Sequence, residues 1–95
     1  MQVSIDNLKE DFQQQKPYDE IQYVEDYKGY PFLATAGHGY LAVNKLDKFA
    51  KIAKKVCSYG YEGKYAFYLE EDCEVSEFLA LINWWKNNSQ NQQLS

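Results

Sequence analysis

The stretch IQYVEDYKGYPFLATAGHGYLAVN, residues 21–44, decides the fold. Ile21, Tyr23 and Tyr27 alternate with Gln22, Val24 and Asp26, the period of two that a β-strand requires. Lys28-Gly29 supplies a turn that tolerates left-handed backbone, after which Tyr30, Phe32 and Ala34 resume on a return strand. Pro31 has no ladder donor, so the strand carrying it is expected at a sheet edge or starting beyond it. Gly37-His38-Gly39 punctuates the chain again before Tyr40-Leu41-Ala42-Val43, and the sheet continues as a meander.

Downstream, Asn44 is placed to cap a helix in which Leu46, Phe49, Ala50, Ala53, Val56 and Cys57 recur at helical spacing, with lysines opposite. A second hairpin follows, from Ser58-Tyr59-Gly60-Tyr61 through Glu62-Gly63 to Lys64-Tyr65-Ala66-Phe67-Tyr68-Leu69, its first strand short. Asp72 is the expected cap of a last helix with Val75, Phe78, Leu79 and Ile82 on its apolar face, extended by Leu81, Trp84 and Trp85. Upstream, Ser4 caps a helix over residues 5–15 whose thin apolar stripe is Ile5, Leu8 and Phe12, and Pro17 marks its end.

These elements give an α+β domain of order α-β-β-β-α-β-β-α. The expected architecture is a two-layer sandwich: an antiparallel sheet with its helices on one face, and a second face left open and studded with tyrosines. The domain is expected over residues 1–88, and the polar stretch 89–95 as a disordered tail.

The composition narrows the function. The chain has 95 residues, 45% of them hydrophobic and 25% charged, which is the balance of one globular core. A net charge of −4 speaks against a binder of nucleic acid, which carries a basic excess. The local exception, Lys45, Lys48, Lys51, Lys54 and Lys55, is read as the solvated side of an amphipathic helix. The start MQVSIDNLKEDF has no basic n-region followed by an apolar run, and no stretch approaches the roughly 18 apolar residues of a membrane span. A cytoplasmic protein that does not enter the membrane is therefore expected, with Cys57 and Cys73 as free thiols.

Two groups of residues can carry chemistry. His38, the sole histidine, sits between two glycines and is suited to a general base or metal ligand, or to an exposed turn. Glu70-Glu71-Asp72-Cys73-Glu74 places four carboxylates around a thiol where a strand gives way to a helix, a pattern that serves cation binding or complements the helix dipole. Cys73 as nucleophile with His38 as base and a carboxylate as orienter would make a thiol enzyme. CxxC and HxxxH spacings are absent, as is a complete glycine-rich phosphate loop, so no cofactor and no metal are assigned.

The segments AGHGYLAV (36–43) and YLEEDCEVSEFL (68–79), with SYGYEGKYAF just before the second, resemble a small uncharacterised domain of bacteriophage, prophage and plasmid proteins. That domain carries a GHG(Y/W)L element, a Y-x-Y hairpin and a YLEEDCD-like element, and the likeness spans residues 33–80. Glu74 stands here where the pattern leads one to expect aspartate. The resemblance implies a mobile-element origin but brings no reaction.

The expectation for function is a small accessory module, not an enzyme, that binds another protein, such as a host or phage regulatory or defence component. Its motivation is the chain's size, its acidic balance, its excess of tyrosine and tryptophan, and the lack of a complete catalytic motif. His38, Tyr40, Glu70, Glu71, Asp72 and Cys73 are the candidate binding residues. The alternative is an enzyme or metal-dependent site built from His38, Cys73 and the Glu70–Asp72 run.

Overall fold

The computed structural model describes the backbone of residues 3–94 and the side chains of residues 3–88. Its elements are α1 (Ile5–Gln14), β1 (Ile21–Tyr27), β2 (Tyr30–Thr35), β3 (Gly39–Asn44), α2 (Ala50–Val56), β4 (Tyr61–Glu62), β5 (Ala66–Glu70) and α3 (Glu74–Leu94). The five strands form one antiparallel sheet in the order β1-β2-β3-β5-β4. This is the α+β order read from the sequence.

Local chemistry accounts for the boundaries. The Ser4 hydroxyl accepts the Asn7 N–H at 3.1 Å and starts α1 as a capping residue should. Lys28 (φ 53°) and Gly29 (φ 90°) are both left-handed, the signature of the two-residue hairpin turn between the paired Tyr27 and Tyr30. The helix after β3 starts later than the sequence implies. The Asn44 side chain accepts the Leu46 N–H at 2.8 Å and the Asp47 carboxylate accepts the Phe49 N–H at 2.9 Å, so residues 45–49 are turns rather than helix. The backbone of α3 continues through the polar stretch as far as Leu94, while residue 95 lies outside the described residues.

Pro31 does not sit on an edge strand, because β2 lies between β1 and β3. The Tyr27–Tyr30 pair closes the turn, so the next pair, Asp26 and Pro31, is not hydrogen-bonded and the missing donor faces β3. The β2–β3 register begins only at Phe32, opposite Leu41, so no ladder bond is lost.

The helices do not share one face. Phe32, Ala34, Leu41, Val43, Phe67 and Leu69 project from the sheet against α2 and α3. The alternate positions Leu33, Tyr40, Ala42, Ala66 and Tyr68 point the other way and are covered by Leu8 and Phe12 of α1. The molecule is thus three layers, and the face expected to be open is closed. Phe12 is fully buried, its ring 5.0 Å from Tyr40, 5.2 Å from Tyr68 and 5.6 Å from Tyr61. Among the described residues, the tyrosines of the central strands, Tyr40 and Tyr68, are core and form no open platform. The physical reason is two-sided burial: β2, β3 and β5 are apolar at consecutive positions, and a sheet with two apolar faces needs cover on both.

Among the described residues no helix is long and apolar enough to cross a membrane.

Candidate functional site

The β3–β5 ladder runs from Asn44 opposite Ala66 to Tyr40 opposite Glu70, and the Glu71 N–H extends it by donating to the Gly39 carbonyl at 2.9 Å. This register lays the two sequence motifs side by side at one end of the sheet. One ligand atom each from His38, Glu70 and Asp72 comes to lie within 4.8 Å of the other two. His38 and Asp72 are exposed and Glu70 is half-buried.

The backbone beneath these side chains is fixed. Thr35 Oγ1 accepts the His38 N–H and donates to the His38 carbonyl, both at 3.0 Å, and the Thr35 N–H donates to the same carbonyl at 2.9 Å. The Asp72 N–H donates to Glu70 Oε1 at 3.0 Å, and the Glu70 N–H donates to Glu74 Oε1 at 3.0 Å. Gly39 of the GHG motif has a packing reason: a Cβ there would lie 2.2 Å from Cζ of the Phe32 ring. Gly37 has no such constraint, since its nearest neighbour would be Asp19 Oδ2 at 3.5 Å.

The other candidate residues separate from this trio. Tyr40 is buried against Phe12 and Tyr61, and its hydroxyl is pushed up to about 12 by burial first and then by Tyr61, Glu70 and Asp19. It is therefore core rather than contact surface. Glu71 and Cys73 are exposed, and Cys73 does not join the three converging groups. Asp72 does not cap the last helix. Residues 71–73 form a turn, α3 starts at Glu74, and among the described residues the Asp72 carboxylate accepts no hydrogen bond.

The residue that organises this junction is Glu74, which is 2% exposed. Its Oε2 accepts the Ser58 N–H at 2.5 Å and the Tyr59 N–H, while Oε1 accepts Gly60 N–H at 3.1 Å as well as that of Glu70. One carboxylate thus ties the start of α3 to the loop after α2.

Both cysteines are free, as expected. Cys57 is half-buried and its thiol is pushed up to about 11, by burial first and then by Glu74 and Glu62. It should be inert in the native protein, whereas exposed Cys73 should be open to reagent. Titration with a thiol reagent is expected to show one prompt thiol in the native state and two after denaturation, without added reductant. A single thiol in denaturant would contradict this.

A second surface was missed in the sequence. A groove of about 660 Å³ lies where the β1–β2 turn and the loop before α2 meet α3. Lys28, Lys48 and Lys86 line it together with Phe49, Leu79 and Ile82. Phe49 packs edge-on against Trp85 at 5.6 Å, with the Lys48 and Lys86 ammonium groups 5.2 and 5.7 Å from its ring centre. The one acid in the lining, Asp47, is engaged by the Tyr30 hydroxyl and the Phe49 N–H, and burial with Asp47 pushes the Tyr30 hydroxyl up to about 12. Trp85, which packs on the Phe49 ring at its edge, is 47% exposed. The one signal in the sequence is Trp85, while Lys28, Lys48 and Lys86 are too far apart in the chain to be read as a group.

Comparison of the chain with protein-family models, curated proteins and solved structures gave no match.

Proposed function

We propose that this chain is a non-enzymatic protein-binding module that docks an acidic partner segment with apolar anchors in the groove beside α3. The observation that carries the reading is local: three lysines surround an apolar floor of Phe49, Leu79 and Ile82, with part-exposed Trp85 packed on Phe49 at its edge, on a chain whose net charge is −4. Tryptophan contributes disproportionately at interfaces, and complementary charge steers encounter. The apolar floor suits side-chain anchors better than a phosphate backbone, which asks for a continuous basic track. The motif resemblance adds a phage or mobile-element setting, in which the partner would be a host or phage regulatory or defence component.

The test uses two labelled amphipathic helical peptides that share a leucine face, one with aspartate and glutamate on its polar side and the other with lysine. Fluorescence anisotropy is expected to show salt-sensitive binding of the acidic peptide alone. Combined Lys48→Glu and Lys86→Glu should weaken it at least about tenfold at little cost in stability, since exposed substitutions typically change stability by less than about 0.5 kcal/mol. Equal binding of the two peptides, or indifference to charge reversal, would remove the reading.

A further inference from the structure

We propose that His38, Glu70 and Asp72 form a binding site for a divalent transition-metal ion of the zinc type. The site shares no lining residue with the α3 groove and does not depend on it.

The donor set is mixed, one imidazole nitrogen and two carboxylate oxygens, which suits borderline first-row ions. Calcium would ask for six to eight oxygens and is a poorer match to the imidazole. Donors around a tetrahedral zinc ion with bonds of about 2.0–2.1 Å stand roughly 3.3 Å apart. The observed separations, all within 4.8 Å, therefore need only a small inward rotation of side chains. Both His38 and Asp72 are exposed and free to make it, while their backbones are held by Thr35 and Glu70.

Two further observations point to a cation. The only ion pair among the described residues is Lys45 with Glu62, so neither carboxylate of the trio is neutralised by a lysine, and the imidazole is not ion-paired with them. Asp19, from the loop before β1, abuts the same turn at Gly37 and adds its charge to that of Glu70 in the field at Tyr40. Three protein ligands leave at least one position of a four-coordinate ion open for water or for a donor from another molecule.

The experiment is calorimetric titration of the untagged full chain with Zn²⁺, Co²⁺, Ca²⁺ and Mg²⁺. Zn²⁺ and Co²⁺ are expected to bind one to one and more tightly than Ca²⁺ or Mg²⁺. His38→Ala and Asp72→Asn should each weaken Zn²⁺ at least about tenfold while leaving the melting temperature of the metal-free protein within a few degrees. Cys73→Ser should bind as wild type does. The single histidine gives a direct reading by NMR, since its ring signals should shift on Zn²⁺ addition. The proposal is overturned by absent stoichiometric binding, by unchanged affinity in His38→Ala, by preference for Ca²⁺, or by a thiolate-to-cobalt absorption band that Cys73→Ser abolishes.

Discussion

Glu74→Ala is expected to cost about 3–5 kcal/mol, much of the roughly 5–15 kcal/mol that holds a small domain together. Four backbone N–H groups, from Ser58, Tyr59, Gly60 and Glu70, converge on this nearly buried carboxylate. Truncation leaves them without their acceptor, and each unmet donor in a buried place costs about 1–3 kcal/mol, less where water can enter. Glu74→Gln should fall between: each oxygen serves two donors, so one amide orientation or the other loses two bonds and presents NH₂ groups to N–H groups. Glu74→Asp tests the departure from the motif resemblance. Shortening the side chain by one carbon withdraws the carboxylate about 1.5 Å, which strains all four contacts unless the loop after α2 follows. Urea unfolding of the three variants is the measurement. A Glu74→Ala protein within about 1 kcal/mol of wild type would mean that the loop is held by something else.

The importance of Glu74 shows what a linear reading reaches and what it does not. Features settled within a few residues were legible: the Ser4 cap and the Lys28-Gly29 turn. The alternation expected through β1 is broken, because a register shift between Ile21 and Tyr23 puts Ile21 and Val24 against the same core cluster and leaves Tyr23 exposed. Carboxylates 70, 71, 72 and 74 share one local chemistry, and nothing in their spacing reveals that Glu74 alone meets the loop at residues 58–60. Asp72 was read as the cap because it stands just before the apolar run, but the turn at 71–73 delays the helix. The meeting of His38 with Glu70 and Asp72 depends on the β3–β5 register, which an intervening helix and hairpin hide from the sequence. The two-sided sheet was legible in principle. Phe32-Leu33-Ala34, Leu41-Ala42-Val43 and Ala66-Phe67-Tyr68-Leu69 are apolar without interruption, and such strands are covered on both faces. The thin stripe of α1 concealed how much it covers, because two residues, Leu8 and Phe12, provide its buried apolar contact.

Asp11 lies on that same side of α1, and the second large effect is expected from the glycine that faces it. The Asp11 carboxylate is 5% exposed and accepts the Lys64 N–H at 2.7 Å, the Tyr65 N–H at 3.0 Å and the Tyr68 hydroxyl at 2.6 Å. Burial and the neighbouring carboxylate push the Tyr68 hydroxyl far above its ordinary range, so it remains a donor. These bonds fasten α1 to the β4–β5 turn and to β5 itself, more than fifty residues away in the chain. Gly63 makes room for the carboxylate: a Cβ there would stand 2.2 Å from Asp11 Oδ2 and 2.7 Å from Cγ. Gly63→Ala should therefore evict the carboxylate or distort the turn, with a loss of about 2–4 kcal/mol from the broken hydrogen bonds and the remaining strain. Asp11→Ala should cost a similar amount by removing the same acceptor. The two losses should not add. Once the carboxylate is gone, the three atoms that stand nearest the added methyl at position 63 are gone with it, so Gly63→Ala in an Asp11→Ala background should cost less than about 1 kcal/mol. Tyr68→Phe, which removes one donor and leaves two, should cost about 1–2 kcal/mol. Equilibrium denaturation of wild type, both single variants and the double variant closes the cycle. A double variant that loses the full sum would show that Gly63 and Asp11 act independently, and that the crowding between them does not hold α1 to the sheet.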